Sequence, residues 1–151
     1  MLKVGDKASD FKLLNDKGEE VTLSQFQGKK EVILYFYPKD NTSGCTTEAC
    51  SFRDHFPKFS SKNAVVFGIS PDSVKSHQGF IQKQQLNFNL LSDPDNKVAE
   101  AYGAWGEKSM YGKKYMGILR TTFVIGKDGK VRKVFEKVKP EGHAEEVLNV
   151  L

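Results

Sequence analysis

Hydrophobic and polar positions divide the chain into alternating strands and helices. Phe11–Leu14 and Val21–Leu23 flank the turn-rich segment NDKGEE, which predicts a short N-terminal β-hairpin. Glu31–Tyr37 (EVILYFY) is an almost continuous β-branched and aromatic run that ends at Pro38. Such a run predicts a strand buried on both faces. After the polar loop KDNTSG, Ala49, Phe52, Phe56 and Phe59 fall near one face of a helix from Cys45 to about Phe59. Pro57 lies inside that span and is expected to kink or shorten it, because proline has no N–H to donate. Ala64–Ile69 (AVVFGI) predicts a second core strand, and Ser70-Pro-Asp-Ser a turn into a helix from Ser73 to about Gln84. Phe88–Leu91 predicts a third strand and Asn96–Tyr102 a short helix.

The segment from Gly103 to Gly117 holds four glycines and no clear period. It predicts a long surface loop, with Trp105 as an anchor rather than a catalytic group. Thr121–Ile125 and Lys130–Glu136 flank GKDG, a hairpin signal. Gly142–Leu151 closes the chain as an amphipathic helix with Val147, Leu148 and Leu151 toward the core. Strands alternating with helices imply an α/β fold, a central mixed β-sheet flanked by helices.

Composition narrows the function classes. No repeat, low-complexity tract or linker interrupts the 151 residues, so residues 1–151 are expected to form a single domain. No stretch approaches the roughly 20 apolar residues of a membrane span. The N-terminus MLKVGDKASDFKLL has neither a continuous apolar core nor a small-residue cleavage site. No signal peptide is expected, and the cytoplasm is the expected location. The net charge is +4, but the lysines are interleaved with acids, as in KDGKVRKVFEKVKPEGHAEE. This pattern favours a solvated surface over a nucleic-acid footprint, and no aromatic-plus-basic stripe argues otherwise. His55, His77 and His143 are widely spaced and share no pattern with the cysteines, so no metal and no cofactor are expected.

The only cysteines are Cys45 and Cys50. They are either small core fillers or chemistry, and their place just after a strand, at the start of a helix, argues for chemistry. A helix N-terminus presents unpaired N–H groups and the positive end of the macrodipole, which favour a thiolate at Cys45. Gly44 lets the backbone approach a substrate closely. A thiolate nucleophile also needs donors nearby for the negative charge that develops on the group that leaves. Thr42 is one candidate, although its hydroxyl equally suits a helix cap. Arg120, at the start of the TTFVI strand, is the best guanidinium candidate, with a solvated strand-end charge as the alternative. Glu48, one turn beyond Cys45, could hold that arginine.

The spacing Pro38, Thr42, Cys45 resembles the active-site pattern of the peroxiredoxins. The longer run FYPKDNT…GCTTEAC resembles the peroxiredoxin Q subfamily, also called bacterioferritin comigratory protein. DFKLLNDKGEEVTLSQFQGK, LLSDPDNKVAEAYGAWGEK and YMGILRTTFVI extend the resemblance over nearly the whole chain. The resemblance implies a thioredoxin-like fold and reduction of hydrogen peroxide and organic hydroperoxides. It implies Cys45 as peroxidatic and Cys50 as resolving cysteine within one chain, and Thr42 and Arg120 as polar partners of the peroxide. It implies Pro38 as a shield over the thiolate. It implies a thioredoxin or similar dithiol as reductant; a monomer with no nucleic-acid or membrane partner is expected. One departure is Ser43, where the subfamily commonly has proline, so the loop is less rigidly fixed. Two other functions compete: a general disulfide oxidoreductase, which lacks its Cys-x-x-Cys here, and a non-enzymatic binding protein.

Overall fold

The computed structural model describes residues Met1–Leu151. Strands β1 (Lys12–Asn15) and β2 (Glu20–Thr22) form the N-terminal hairpin, with Leu13 opposite Val21. The central strands are β3 (Glu31–Phe36), β4 (Ala64–Ser70) and β5 (Asn89–Ser92), which run parallel to one another. The last strands, β8 (Thr121–Ile125) and β9 (Val131–Glu136), run antiparallel, β8 against β3 and β9 against β8. The seven strands lie in the order β2-β1-β5-β4-β3-β8-β9. The mixed sheet carries helices α1 (Ser43–Ser61), α2 (Val74–Gln84), α3 (Lys97–Tyr102) and α4 (His143–Leu148).

The alternation of β3 explains both layers. Val32, Leu34 and Phe36 join Phe67, Ile69, Phe123 and Tyr102 of α3 on one face. Ile33, Tyr35 and Tyr37 join Ala49, Phe52 and Phe59 of α1, Phe80 of α2 and Val147 of α4 on the other. An uninterrupted apolar run is what a strand covered on both sides requires. Phe52 is fully buried and stacks on Tyr35 with ring centroids 4.7 Å apart. That burial of one phenylalanine contributes about 1.5–3 kcal/mol.

Two expectations are corrected. The glycine-rich segment is not a loop: β6 (Trp105–Met110) and β7 (Lys113–Ile118) pair as a separate two-stranded ribbon. Tyr111 and Gly112 turn it, both with positive φ (52° and 77°), as a two-residue hairpin turn requires. Trp105 is half-buried at the start of β6 and packs against the first core layer. Pro57 does not shorten α1, which continues to Ser61. The carbonyl of Arg53, which residue 57 would otherwise bond, accepts from Asn87 Nδ2 at 3.1 Å.

Candidate active site

The site lies where β3 hands over to α1. β3 ends after Phe36, and residues 37–42 lead into α1 with Thr42 at the N-cap position in extended conformation. The helix begins at Ser43, two residues before the expected start, so Cys45 sits in its first turn. Cys45 is buried beneath the sheet-facing side of the helix, among Tyr35, Ala49 and Phe52. Arg120 arrives from a distant part of the chain. The antiparallel register of β8 on β3 sets Thr121 opposite Phe36, which brings Arg120 to the end of β3 beside the loop.

Arg120 Nη2 donates to Cys45 Sγ at 3.0 Å, and Nη1 donates to Glu48 Oε1 at 3.0 Å. Glu48 is fully buried one turn beyond Cys45, and the arginine side chain is about one-fifth exposed. Gly44 makes this approach possible: a Cβ there would lie 3.0 Å from Arg120 Nη2 and 3.5 Å from Pro140. A side chain at residue 44 would therefore press the guanidinium by a few tenths of an ångström, with Pro140 in van der Waals contact on the other side.

Burial pushes the Glu48 carboxyl up to about 7 from 4.5, with the Arg120 charge and hydrogen bond opposing. Its second oxygen, Oε2, and the hydroxyl of Tyr35 have no hydrogen-bond partner in the protein. Burial raises the Tyr35 phenol well above its ordinary value, and the charges of Glu48 and Cys45 push the same way.

The other expected site residues fall into place unequally. Thr42 is partly exposed, and its hydroxyl donates to Lys39 O at 3.0 Å; it caps no helix N–H. Pro38 is partly exposed immediately after β3 and its following Tyr37. Cys50 does not meet Cys45. It is half-buried on α1, with Sγ 3.7 Å from Gln84 Oε1 of α2. Both thiols are free. Regular helix separates Cα atoms five residues apart by about 8.7 Å, whereas a disulfide needs roughly 4.4–6.8 Å.

Lys108, on the ribbon read from sequence as a loop, also reaches this neighbourhood. Burial and then the Arg120 charge hold it below the ordinary lysine value, with Cys45 opposing. Its stem lies over Gly117, where a Cβ would come within 3.1 Å of Lys108 Cδ. Neither Lys108 nor Pro140 belongs to a local motif, so neither was legible in sequence. The arrangement as a whole is a buried thiol held by a guanidinium that is itself held by a buried carboxylate. Such a guanidinium can polarise an oxygen-containing substrate at the sulfur while keeping its own charge.

Comparison with known proteins places the whole chain in a family. Residues 4–134 match the AhpC/TSA family. The chain is 49% identical to peroxiredoxin Bcp of Bacillus subtilis over 150 residues, which covers 99% of this chain and 95% of that one. It is 47% identical to peroxiredoxin Bcp of Escherichia coli, covering 99% and 96%. A solved structure of the bacterioferritin comigratory protein of Xanthomonas campestris, described for its alkyl peroxide reduction activity, superposes with a TM-score of 0.90. It is 40% identical, with 99% of this chain and 94% of that chain covered. The mixed sheet, the flanking helices and these matches agree on a thioredoxin-like peroxiredoxin fold, and the chain belongs to the AhpC/TSA family as a thiol-dependent peroxidase of the peroxiredoxin Bcp, or Q, type.

Proposed function

We propose that Cys45 reduces hydrogen peroxide and organic hydroperoxides, and that Cys50 resolves the product within the same chain. The contact between Arg120 Nη2 and Cys45 Sγ, 3.0 Å, is the observation that carries this reading. The Cys45 thiolate attacks one peroxide oxygen. The O–O bond breaks, its electron pair leaves with the distal oxygen as hydroxide or alkoxide, and protonation gives water or an alcohol. Cys45 is left as a sulfenic acid. Arg120 donates to the oxygens as charge develops, the Thr42 hydroxyl, whose own proton is held by Lys39 O, accepts from the peroxide O–H, Glu48 keeps Arg120 in place, and Gly44 leaves room for it. Pro38 shields the sulfur from solvent.

Cys50 then attacks Cys45 Sγ. A sulfur–sulfur bond forms, the sulfenic oxygen leaves as water, and the chain holds a Cys45–Cys50 disulfide. A dithiol protein of the thioredoxin type exchanges with it, returns both thiols and carries away the oxidising equivalents. Both cysteines and the arginine come from one chain, which suits a monomer. A two-cysteine cycle that ends in reduction by a dithiol suits the cytoplasm. Residues 1–151 act in this reading as one domain.

Turnover with purified thioredoxin, thioredoxin reductase and NADPH tests the proposal. NADPH oxidation that requires both hydroperoxide and thioredoxin is expected. Peroxide-dependent loss of both thiols without turnover on thioredoxin would replace the reductant while keeping the site. No thiol loss would reject the site.

A further inference from the structure

We propose that Asp40 and His77 are positioning residues for peroxide reduction: a buried pair that pins the loop carrying Pro38 and Thr42 in its working geometry. The inference rests on the reading of Cys45 as the nucleophile. Asp40 lies two residues before Thr42, in the loop between β3 and α1, yet is only 4% exposed. Its neighbours Lys39 and Asn41 are exposed, so Asp40 is the inward-pointing residue of an outward-facing loop. His77, on α2, is fully buried.

The Asp40 carboxylate is saturated with donors. Tyr37 Oη donates to Oδ1 at 2.6 Å, Ser76 Oγ donates to Oδ2 at 2.8 Å, and His77 Nδ1 lies 2.7 Å from Oδ2. The other imidazole nitrogen, Nε2, is 3.0 Å from the carbonyl oxygen of Leu91. A carbonyl only accepts, so Nε2 carries a proton, and the proton between Nδ1 and Asp40 makes the pair. The main chain is held as well: Asp40 N–H donates to Asp72 Oδ2 at 2.8 Å. Asp72 is fixed in turn by Ser70 Oγ at 2.7 Å and, through its carbonyl, by Ser92 Oγ at 2.6 Å.

The network gathers the ends of three parallel strands and one helix at a single loop residue. Tyr37 follows β3, Ser70 ends β4, Leu91 and Ser92 end β5, and Ser76 and His77 belong to α2. Asp40, Asp72 and His77 present atoms close enough to share a cation. Each of those atoms is already bonded within the protein, so the cluster reads as an anchor and not as a metal site. A buried ionic pair is seldom the most stabilising choice for a core; its attested benefit is fixing one arrangement among several. Here the fixed arrangement is that of the peroxide loop. Next to the anchor, Asn41 turns the chain with φ 64°, and the Thr42 hydroxyl folds back on Lys39 O. Ser43 cannot fix φ as proline would, which leaves the loop dependent on the anchor.

The test compares two reactions of Cys45, in a Cys50→Ser background so that only one thiol reports. Reaction with hydrogen peroxide needs the loop's contacts with the peroxide; alkylation by iodoacetamide needs only an accessible thiolate. Asp40→Ala and His77→Leu are expected to slow the peroxide reaction by at least about tenfold, as small misplacements of catalytic groups do. Alkylation should stay within about twofold. Asp40→Asn should recover most of the peroxide rate, because its amide can donate to Nδ1 of an imidazole that keeps its proton on Nε2. Peroxide rates near that of the parent in folded Asp40→Ala and His77→Leu protein would overturn the proposal, as would equal losses in both reactions. If those variants do not fold, Tyr37→Phe and Ser76→Ala each delete one donor to Asp40. Selective peroxide loss in either supports the anchor, and none in both overturns it. Failure of the underlying reading looks different: the parent protein itself would then react with peroxide no faster than free cysteine.

Discussion

Glu48 lies between Cys45 and Cys50, on the segment that must open before the two sulfurs can bond. Closed, the helix keeps this carboxyl fully buried and raised to about 7; opened, it returns toward 4.5 in water. Between those two values the closed helix holds a proton that the open segment releases. The resulting stabilisation of the closed form is fully present below about pH 4.5, falls as the pH rises and is gone above about pH 7. A shift of this size corresponds to about 3 kcal/mol, or on the order of 10²-fold in the opening equilibrium. The Arg120 charge and hydrogen bond already lower this value, so the shift is net of them. Amide exchange of Thr46–Arg53 in the reduced protein, corrected for intrinsic rates from pH 5 to 8, reads the opening directly. The wild-type protein should open more readily with rising pH, and Glu48→Gln, which cannot ionise, should give a flatter profile. Disulfide formation after one equivalent of peroxide should follow the same difference. Identical slopes for wild type and Glu48→Gln would refute the coupling between Glu48 ionisation and opening.

Arg120→Lys keeps the charge but not the two-pronged contact with Cys45 and Glu48, and should lower the second-order peroxide rate by about 10²–10³-fold; a near wild-type rate in stopped-flow fluorescence would remove Arg120 from the chemistry. Phe52→Ala removes a fully buried ring stacked on Tyr35 and should destabilise the fold by about 3–5 kcal/mol in urea unfolding. Gly68→Ala places a Cβ 2.6 Å from the Tyr35 ring and 2.8 Å from Leu90, so a loss of about 1–3 kcal/mol is expected in the same assay.

The sheet was legible where burial is complete. EVILYFY and AVVFGI are almost continuously apolar, and TTFVI buries even its two threonines, because both faces of the strands they form are covered. The ribbon β6–β7 left no such signature. Met110, Tyr111, Tyr115 and Met116 are exposed, and a two-stranded ribbon wetted on both sides has no reason to alternate. Pro57 misled because its cost depends on a partner for one carbonyl, and Asn87 supplies that partner from a distant loop. Around Cys45, the residues contributed by the first turns of α1 were readable from local spacing, and Arg120 from its place at a strand start. The Asp40–His77 pair was not, since 37 residues, with helix α1 and strand β4 among them, separate its members and no short motif links them. The same holds for Lys108, whose approach to Arg120 depends on the ribbon itself.

The most direct test of the division of labour between the cysteines is a single turnover followed by intact mass and peptide mapping. Cys45→Ser protein should consume no peroxide beyond the rate of an ordinary thiol. Cys50→Ser protein should take up one oxygen rapidly at Cys45 and then stall or over-oxidise, while the wild-type chain should lose two hydrogens and yield a Cys45–Cys50 cross-linked peptide. Rapid oxidation of Cys45→Ser protein, with Cys50→Ser protein inert, would reverse the assignment and contradict the account.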